Sequence, residues 1–404
     1  MYNPSPFPQP IVSPFPQMRG ELIPQVTPPP QPTELSLPRY VNYLADYSGC
    51  GHWRILWPEQ IINATGVGCS SSLTAMVFDP RWYQGVKSIK LQRQASSQQK
   101  QFVQFLKEIQ PQIGFKLIYE VDDVVFREDI PDYNKFKFAF DNDEIRQNCI
   151  DIINMCDEVT VTCDFMRKLY QERTGKKEIT VIPNFVPHTW LGYLYDKKRV
   201  YEAYEKNKKR PRILYTGSGA HYDVDNKVGG KDDFEQIVQF VADTRSKYQW
   251  IFVGSFPPPL LSYIQSKEIE FHQWQSLVDY PRLLAALDAQ LMVAPLQVNN
   301  FNNAKSDIKF IEAAILGIPC LCQNMETYTV APAALKFDNV EEFGQKIENI
   351  LSYKNRQAYF KNVDVLHDIG AARTLEIPEN IGCHIEVLNT SYGSPERKYL
   401  SKWN

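Results

Sequence analysis

Residues 301–319 read FNNAKSDIKFIEAAILGIP. Ser306 is of a type that caps helix N-termini, and Gly317 followed by Pro319 predicts where the helix ends. Between these limits, apolar side chains recur at helical spacing and predict a buried stripe made of Ile308, Ile311 and Ile315. The stretch therefore predicts a helix with one buried face, preceded by a short polar loop.

Lys305, Lys309 and Glu312 share a different face of this predicted helix. Two ammonium groups and the free N–H groups of the first turn then meet at the positive end of the helix dipole, which is a typical phosphate site. Glu312, one turn further in, is placed to accept hydrogen bonds from both hydroxyls of a ribose. The alternative interpretation is a surface helix with a Lys–Glu pair at i, i+3 spacing.

Short β-rich runs alternate with helical stretches on both sides of this segment. The first half contains LTAMVF (73–78), KLIYEV (116–121), EVTVT (158–162) and ITVI (179–182). The second half contains RILYTGSG (212–219), QWIFVGS (249–255), AQLMVAP (289–295) and IPCLC (318–322). Such alternation predicts two doubly wound parallel sheets, and ligands bind beyond the carboxyl ends of their strands. We therefore expect an α/β protein with a cleft between two Rossmann-like halves.

The domain organisation follows from shifts in composition. Residues 1–38 hold 12 of the 28 prolines, which predicts an extended arm, either a passive tail or a docking arm for a partner. The charged stretch within 191–210 predicts a linker. The predicted Rossmann-like domains are therefore residues 39–190, on the acceptor side of the cleft, and residues 211–360, which carry the phosphate helix.

The overall composition limits the function classes. A net charge of −3 argues against a protein that coats nucleic acid by bulk charge, although a local basic groove remains open. No apolar run approaches the ~20 residues that span a bilayer, and the N-terminus lacks signal-peptide features. The 8 cysteines are scattered, which favours free thiols in a reducing compartment. We expect a soluble, cytoplasmic protein whose oligomeric state the sequence does not indicate.

Several motifs together resemble GT-B glycosyltransferases related to family four. In the second half they are YTGSGAHYDVD (215–225), IEFHQW (269–274), LMVAPL (291–296) and the stretch 301–319. In the first half they are DYSGCGHWRILWP (46–58), YEVDDVVF (119–126) and the stretch 159–187. The resemblance implies a nucleotide-sugar donor, which we expect to be UDP-linked, bound on residues 211–360. It also implies that residues 361–404 pack back on the first domain.

The resemblance also assigns residues to the donor site. It implies that Lys305 and Ser306 hold the diphosphate, that Glu312 holds the ribose, and that Gly217 and Ser218 let the diphosphate approach. Many members carry a glutamate eight positions before Glu312, where this chain has Ala304. This departure leaves the donor sugar and the stereochemical outcome open.

The glycine turn after RILYTGSG agrees with that assignment from its residues alone. Backbone N–H groups at Gly217 and Ser218 can approach an anion without interference from a Cβ atom, although an ordinary tight turn is the alternative. His221 follows the turn. It is a candidate for binding sugar or phosphate, with a structural hydrogen bond as the equally supported alternative.

Two candidate groups lie in the first half. Gly51 and Arg54 belong to a glycine-rich loop beside WRILW, which we interpret as a strand, and Arg54 is predicted to clamp the donor phosphate from across the cleft. Asp122 and Asp123 end the strand KLIYEV and are predicted to take the proton from the acceptor hydroxyl. The alternative for Arg54 is an exposed arginine at a strand start. The alternatives for the two carboxylates are helix capping, a structural salt bridge or a GT-A-like metal site. We expect no metal requirement, because the lysines and the helix dipole supply the positive charge.

The acceptor is predicted only by resemblance. The chain, which ends in YGSPERKYLSKWN, resembles proteins of tailed bacteriophages, and this implies a hydroxymethylated DNA base as acceptor in the host cytoplasm, with arabinose or glucose as the sugar. Candidates for holding DNA phosphates are Lys87, Lys90, Arg93, Lys100, Lys135 and Lys137. The alternatives are a cell-surface glycan, a lipid-linked sugar, a protein acceptor, or a non-catalytic GT-B module that binds a nucleotide or glycan.

Overall fold

The computed structural model describes residues 37–190 and 196–402. The proline-rich arm predicted for residues 1–38 lies outside these ranges except for its last two residues. The first five residues of the predicted linker, 191–195, also lie outside them.

The first half is built on a six-stranded parallel sheet with the order β2-β1-β3-β4-β5-β6. Its strands are β1 Arg39–Tyr43, β2 Cys69–Leu73, β3 Val86–Gln92, β4 Lys116–Glu120, β5 Glu158–Val161 and β6 Ile179–Val181. Its helices are Gly49–Gly51, Trp57–Thr65, Ser97–Ile113, Asp143–Met155 and Asp164–Thr174, with a π-helical segment His52–Leu56 between the first two. The inner strands are buried along almost their whole length, as expected when helices cover both faces of a sheet.

The second half contains another six-stranded parallel sheet, with the order β12-β11-β10-β7-β8-β9. Its strands are β7 Arg212–Gly217, β8 Gln249–Gly254, β9 Glu270–His272, β10 Leu291–Ala294, β11 Cys320–Gln323 and β12 Lys336–Phe337. Its helices are Val238–Thr244, Leu261–Gln265, Tyr280–Ala286, Asn300–Asn303, Ile308–Leu316 and Val340–Leu351. The two predicted doubly wound sheets are confirmed.

The helix Ser97–Ile113 shows how local sequence sets an element boundary. The Ser96 hydroxyl accepts a hydrogen bond from the Gln99 N–H at 3.1 Å, and the Gln99 side chain accepts one from the Ser96 N–H at 2.8 Å. This capping box satisfies two backbone donors at the helix start. The helix then runs to Ile113 and ends at Gly114, whose φ of 87° lies in the left-handed region.

Two strand predictions in the first half are wrong. LTAMVF overlaps β2 only at Leu73, because β2 is formed by the preceding serine-rich residues at the sheet edge. WRILW is helical rather than extended. Its Trp53 and Trp57 rings pack edge to face with centroids 4.9 Å apart, a contact that helical i, i+4 spacing makes and a strand does not.

After residue 196 the chain first packs on the second half and later returns to the first half. The helix Lys197–Asn207 occupies most of the predicted linker and packs through Tyr204 on Tyr359 of the helix Arg356–Ala371. The next helix, Pro378–Asn389, lies against the first half, where Asn389 accepts a hydrogen bond from Tyr40 at 2.8 Å. The last part of the chain thus contacts the first half, while the proposed domain boundaries stay a prediction.

The loop before the helix Ile308–Leu316 is held between the two halves. Phe301 and Ala304 are buried within the apolar core of the first half. The Asn300 side chain donates to Asp129 of the first half at 2.8 Å. Arg373 joins Asp307, at 3.0 Å, to the Asn184 carbonyl of the first half, at 2.8 Å. Groups carried by this loop are therefore positioned by both sheets.

Residues after strand ends of the two sheets also meet directly. Tyr133, in the segment after β4, donates a hydrogen bond at 2.7 Å to Asp233, in the segment after β7. Within residues 37–190 and 196–402, no helix combines the length and the apolar character needed to cross a bilayer.

Candidate active site

The helix Ile308–Leu316 forms one wall of the candidate site. Asp307 occupies the N-cap position, so the prediction of Ser306 as the cap is wrong by one residue. The Asp307 carboxylate does not cap the helix, because the Arg373 guanidinium binds it at 3.0 and 3.1 Å. The predicted end is confirmed, since Gly317 closes the helix with a φ of 71°. The first-turn N–H groups are therefore not satisfied by a side-chain cap and remain suited to an anion.

The apolar face of this helix is as predicted, but its other face is not solvent-exposed. Ile311 and Ile315 are fully buried, and Ile308 packs partly buried against the same core. Glu312 is also buried, with only 6% of its surface exposed. The alternative of a solvated surface helix is therefore wrong.

Lys305 lies in the turn between the helices Asn300–Asn303 and Ile308–Leu316. Its Nζ is 4.2 Å from the centroid of the Phe301 ring, which orients the ammonium through a cation–π contact. Lys305 and the neighbouring Ser306 are half-buried. Among the described residues, no carboxylate pairs with the Lys305 ammonium.

Lys309 contacts a buried histidine from the glycine turn. Its Nζ lies 3.4 Å from His221 Nε2, and His221 Nδ1 lies 2.7 Å from an Asp233 carboxylate oxygen. Because a carboxylate only accepts, we assign the imidazole proton to Nδ1, and Nε2 then accepts from Lys309. Burial and the nearby Lys309 charge lower the pKa of His221 to about 4, so the ring is neutral at pH 7. Burial and the Lys305 charge lower the pKa of Lys309 to about 8.

Glu312 faces two hydroxyl groups. Tyr280 donates to its Oε2 at 3.0 Å, and Thr216 donates to the same oxygen at 3.5 Å. Burial raises the pKa of Glu312 to about 7, against the opposing effects of the Tyr280 hydrogen bond and the Lys309 charge. Both bonds are accepted by Oε2, so Oε1 is the oxygen turned to other partners.

The glycine turn after β7 is crowded by side chains that a Cβ atom would displace. A Cβ on Gly217 would lie 2.3 Å from the Tyr215 hydroxyl, and one on Gly219 would lie 3.2 Å from the Lys135 ammonium of the first half. Gly254, at the end of β8 with a φ of 94°, allows Trp274 to lie against the same edge. Ser218 precedes the short 3₁₀ turn Gly219–His221 and caps it by accepting from the Ala220 N–H at 3.3 Å. The glycines thus permit close approach from both halves.

Asp233 links this turn to the first half and was not found from the sequence. Its carboxylate accepts hydrogen bonds from His221, from the Tyr133 hydroxyl at 2.7 Å, from the Asn302 amide at 2.7 Å and from the Gln297 N–H at 2.9 Å. These bonds lower the pKa of Asp233 against the effect of its burial. The sequence feature that could have indicated Asp233 is the pair of adjacent aspartates after Gly229 and Gly230. That pattern is typical of a turn and does not by itself indicate a site.

Asp122 and Asp123 are held by residues of the first half. Asp122 Oδ1 lies 3.6 Å from Nε of Arg93, which also forms an ion pair with Asp46. Asp123 accepts from the N–H of Val124 at 2.9 Å. Both aspartates are half-buried and follow β4 directly, as the sequence predicts.

Gly51 belongs to the same cluster. Its N–H donates to Asp46 at 3.3 Å, and a Cβ atom at this position would lie 1.9 Å from the Asp46 carbonyl oxygen. Hydrogen bonds from Ser48 and the charge of Arg93 lower the pKa of Asp46, although burial opposes this shift. Gly51 therefore supports the loop around Asp46, while its predicted contact with the donor stays a prediction.

The prediction that Arg54 clamps a phosphate does not fit its position. Arg54 is fully buried inside the first half, where Glu120 binds its guanidinium at 2.7 and 3.3 Å. Further hydrogen bonds run to the Ile182 carbonyl at 2.6 Å and the Asn184 side chain at 3.0 Å. The helical rather than extended conformation of WRILW turns Arg54 inward, and an isolated buried guanidinium is too costly to leave unpaired.

The residues predicted to hold DNA phosphates differ in exposure and in whether an acidic side chain pairs with them. Lys90 is a wrong candidate, because it lies on the inner strand β3 with only 2% of its surface exposed, and burial lowers its pKa to about 8. Arg93 pairs with Asp46, Lys100 with Asp151, and Lys137 with Asp132 at 2.8 Å. Lys87 is exposed and Lys135 is half-buried.

Over the described ranges, no group of three or more His, Cys, Asp or Glu side chains is arranged to hold a metal ion. The described cysteines are all free thiols, and most are buried.

The fold is shared with solved structures over nearly the whole chain. Anabaena Alr3699/HepE in complex with UDP aligns with a TM-score of 0.56 and 10% identity, covering 88% of this chain and 100% of that one. The same protein in complex with UDP-glucose gives a TM-score of 0.56 and 10% identity, covering 86% and 99%. Sucrose-phosphate synthase from Thermosynechococcus elongatus aligns with a TM-score of 0.58 and 14% identity, covering 87% of this chain and 98% of that one. The chain therefore has the GT-B fold, with two Rossmann-like domains facing a cleft.

No protein-family model matches this sequence, and neither does any curated protein.

Proposed function

We propose that this protein is a glycosyltransferase that moves a sugar from a nucleotide-sugar donor, a UDP-sugar, to an acceptor hydroxyl. The observation that carries the proposal is the convergence of Lys305, the Lys309–His221 pair and Glu312 at one helix N-terminus beside a glycine turn. HepE, which shares the fold, binds UDP and UDP-glucose. Two lysine ammonium groups, Lys305 and Lys309, brought close together and partly out of water are costly in a purely structural role, and a diphosphate would offset that cost.

In this proposal the second half holds the nucleotide. The diphosphate sits against Lys305, Lys309, Ser306 and the uncapped helix N-terminus, where ammonium groups and the helix dipole act together. Glu312 Oε1 accepts from the ribose hydroxyls while Tyr280 and Thr216 fix the carboxyl group through Oε2. Gly217 and Ser218 let the phosphates approach the backbone, and neutral His221 positions Lys309.

The chemical step breaks the bond between the sugar and the diphosphate. The departing diphosphate gains negative charge, which the lysines and the helix N-terminus stabilise without the reorganisation that water would need. Asp122 and Asp123 are the proposed catalytic pair on the acceptor side. Because Arg93 pairs with Asp122, Asp123 is the better base for the acceptor hydroxyl.

The structure leaves fewer cations of the first half available to bind the phosphates of a DNA acceptor. A hydroxymethylated DNA base remains the acceptor proposed from the sequence, but Lys90 is buried, and Arg93, Lys100 and Lys137 have acidic partners. Phe136 and Phe138 are about half exposed, at 51% and 52%, and offer faces on which a base or a sugar ring can stack.

A non-catalytic GT-B binding module is the second candidate. It is favoured by Ala304, which replaces a glutamate and is buried with only 1% of its surface exposed. Slow hydrolysis of the donor without an acceptor separates the two, because a catalytic site releases nucleoside diphosphate and a binding module does not.

The experiment is a panel of UDP-, GDP-, ADP- and dTDP-sugars, each incubated with the full chain and with hydroxymethylated DNA, unmodified DNA or a glycan mixture. Nucleoside diphosphate release and mass spectrometry of the acceptors are the measurements. Transfer to hydroxymethylated DNA alone supports the DNA acceptor, whereas transfer to glycan replaces it. If the wild type releases nucleoside diphosphate from no member of the panel and modifies no acceptor, the glycosyltransferase proposal is wrong.

A further inference from the structure

One cation of the first half faces the glycine turn of the second. Lys135 lies in the segment after β4, yet its Nζ and Cε lie 3.2 and 3.6 Å from the point that a Cβ on Gly219 would occupy. Any larger residue at position 219 would therefore press against this ammonium group. The serine Oγ of Ser255, which follows β8, lies 3.6 Å from the same point. Lys135 thus reaches across the cleft to the end of β7.

The segment around Lys135 is anchored on both sides. Tyr133 is buried and donates to Asp233 at 2.7 Å, and the Asn302 amide donates to the Tyr133 hydroxyl at 3.0 Å. Asn134 is buried, and its side-chain oxygen accepts from the Phe136 N–H at 2.9 Å. The Asn134 carbonyl accepts from the Lys137 N–H at 3.0 Å, closing a tight turn around Lys135. The position of Lys135 over the second half is therefore built into the contact between the halves.

Among the described residues, no carboxylate pairs with the Lys135 ammonium. This ammonium group lies 5.1 Å from the centroid of the Phe136 ring. Two residues further on, Lys137 pairs with Asp132 at 2.8 Å, so acidic partners are at hand in this segment. On the second half, Lys309 Nζ lies 3.4 Å from His221 Nε2 at the end of the same turn, and the charges of Lys309 and Lys305 both lower the pKa of His221. Three ammonium groups around one glycine turn repel each other unless an anion lies between them.

We propose that Lys135 is a donor-binding residue whose ammonium contacts the diphosphate of a nucleoside diphosphate seated at the turn Gly217–Gly219. This inference rests on the proposed function and adds a cation from the opposite domain, the role that the buried Arg54 cannot fill. Because Tyr133 and Lys135 belong to one anchored turn, the diphosphate and Asp233 bind the same segment of the first half. Donor binding then also strengthens the contact between the domains.

The test compares two neighbouring lysines in the full chain. UDP, ADP, GDP and dTDP are titrated into the wild type by calorimetry, and the tightest is then titrated into Lys135→Ala, Lys135→Gln, Lys135→Arg and the control Lys137→Ala. Removing one charge-assisted contact weakens binding by about tenfold or more. We expect this loss in Lys135→Ala and Lys135→Gln, partial recovery in Lys135→Arg, and a change within about twofold in Lys137→Ala, whose surface pair contributes little.

The matching nucleoside, which lacks phosphates, is followed by NMR and is expected to bind all variants equally. If Lys135→Ala and Lys135→Gln bind the nucleoside diphosphate as tightly as the wild type, the Lys135 inference is wrong. The proposed function still stands in that case if Lys305→Ala weakens binding. Should the wild type bind none of the four nucleotides, both proposals fall together. A thermal unfolding midpoint within about 2 °C of that of the wild type confirms that each variant is folded.

Discussion

Asp233→Asn is expected to disconnect His221 from Lys309 while leaving the backbone in place. Oδ1 of Asp233 accepts from Tyr133, Asn302 and Gln297, and Oδ2 accepts from His221. In the variant, the asparagine oxygen is expected to take the place of Oδ1, because three donors point to that position. The NH₂ group then takes the place of Oδ2 and faces His221 Nδ1. His221 must then accept at Nδ1 and carry its proton on Nε2, where Lys309 also donates.

The magnitude follows from these bonds. One charge-assisted hydrogen bond is lost, worth about 1.5–3 kcal/mol, and the three others weaken because the acceptor becomes neutral. We expect the free energy of unfolding to fall by about 2–4 kcal/mol, and the unfolding midpoint to fall by about 4–16 °C, since about 1 kcal/mol corresponds to roughly 2–4 °C in a domain of this size. Affinity for nucleoside diphosphate is expected to fall by about tenfold, because Lys309 loses the acceptor that orients it.

Tyr133→Phe is the matched control. It removes one hydrogen bond to Asp233 across the cleft and leaves His221 untouched, so its unfolding midpoint should fall by less and His221 should keep its tautomer. Nitrogen-15 NMR of the imidazole distinguishes the tautomers, and calorimetry measures nucleotide affinity. If Asp233→Asn retains the Nδ1–H tautomer and normal nucleotide affinity, the assigned role of Asp233 is refuted.

The remaining predictions concern the donor site, the pH dependence and the catalytic pair. Lys305→Ala should weaken nucleoside diphosphate binding by about 10–150-fold, the equivalent of ~1.5–3 kcal/mol. Its unfolding midpoint should not change, because Lys305 lies outside the apolar stripe. If the variant binds nucleoside diphosphate as tightly as the wild type, the phosphate site has been assigned to the wrong place. The pKa of Glu312 is raised to about 7 in the folded state, whereas the unfolded state loses this proton near pH 4.5. The folded state therefore binds the proton more tightly, which stabilises it at low pH. This contribution to the free energy of unfolding is lost as the pH rises toward 7. Glu312→Gln should flatten that decline in a series of unfolding midpoints from pH 5 to 7.5, and a parallel curve would contradict the raised pKa. Asp123→Asn should spare donor binding, measured by calorimetry, and abolish transfer, measured by product analysis; retained transfer would exclude Asp123 as the base. Activity should survive EDTA, whereas complete loss restored by manganese would revive the metal-site alternative for Asp122 and Asp123.

Local signals in the sequence predicted the elements that local physics fixes. The helix Ile308–Leu316 follows from apolar spacing and from the glycine that ends it in the left-handed region. The helix Ser97–Ile113 begins at a capping box, a pattern that local sequence encodes. The alternation of strands and helices predicted two parallel sheets, but not β1 or β3, because the polar residues of these strands hide their burial. Burial of Lys90 and Gln92 depends on neighbouring strands and not on their own segment.

The sequence by itself determined the two sheets, the glycine turn and the set of residues able to bind an anion. Only the tertiary structure decided which of those residues are available, because ion pairs and hydrogen bonds join positions far apart in the chain. Arg54 is neutralised by Glu120, 66 residues away, and Tyr133 meets Asp233, 100 residues away. The same long-range packing removes water from His221, Lys309 and Glu312 and shifts their pKa values. Desolvation and ion pairing are properties of neighbours in space, and the fold alone selects those neighbours.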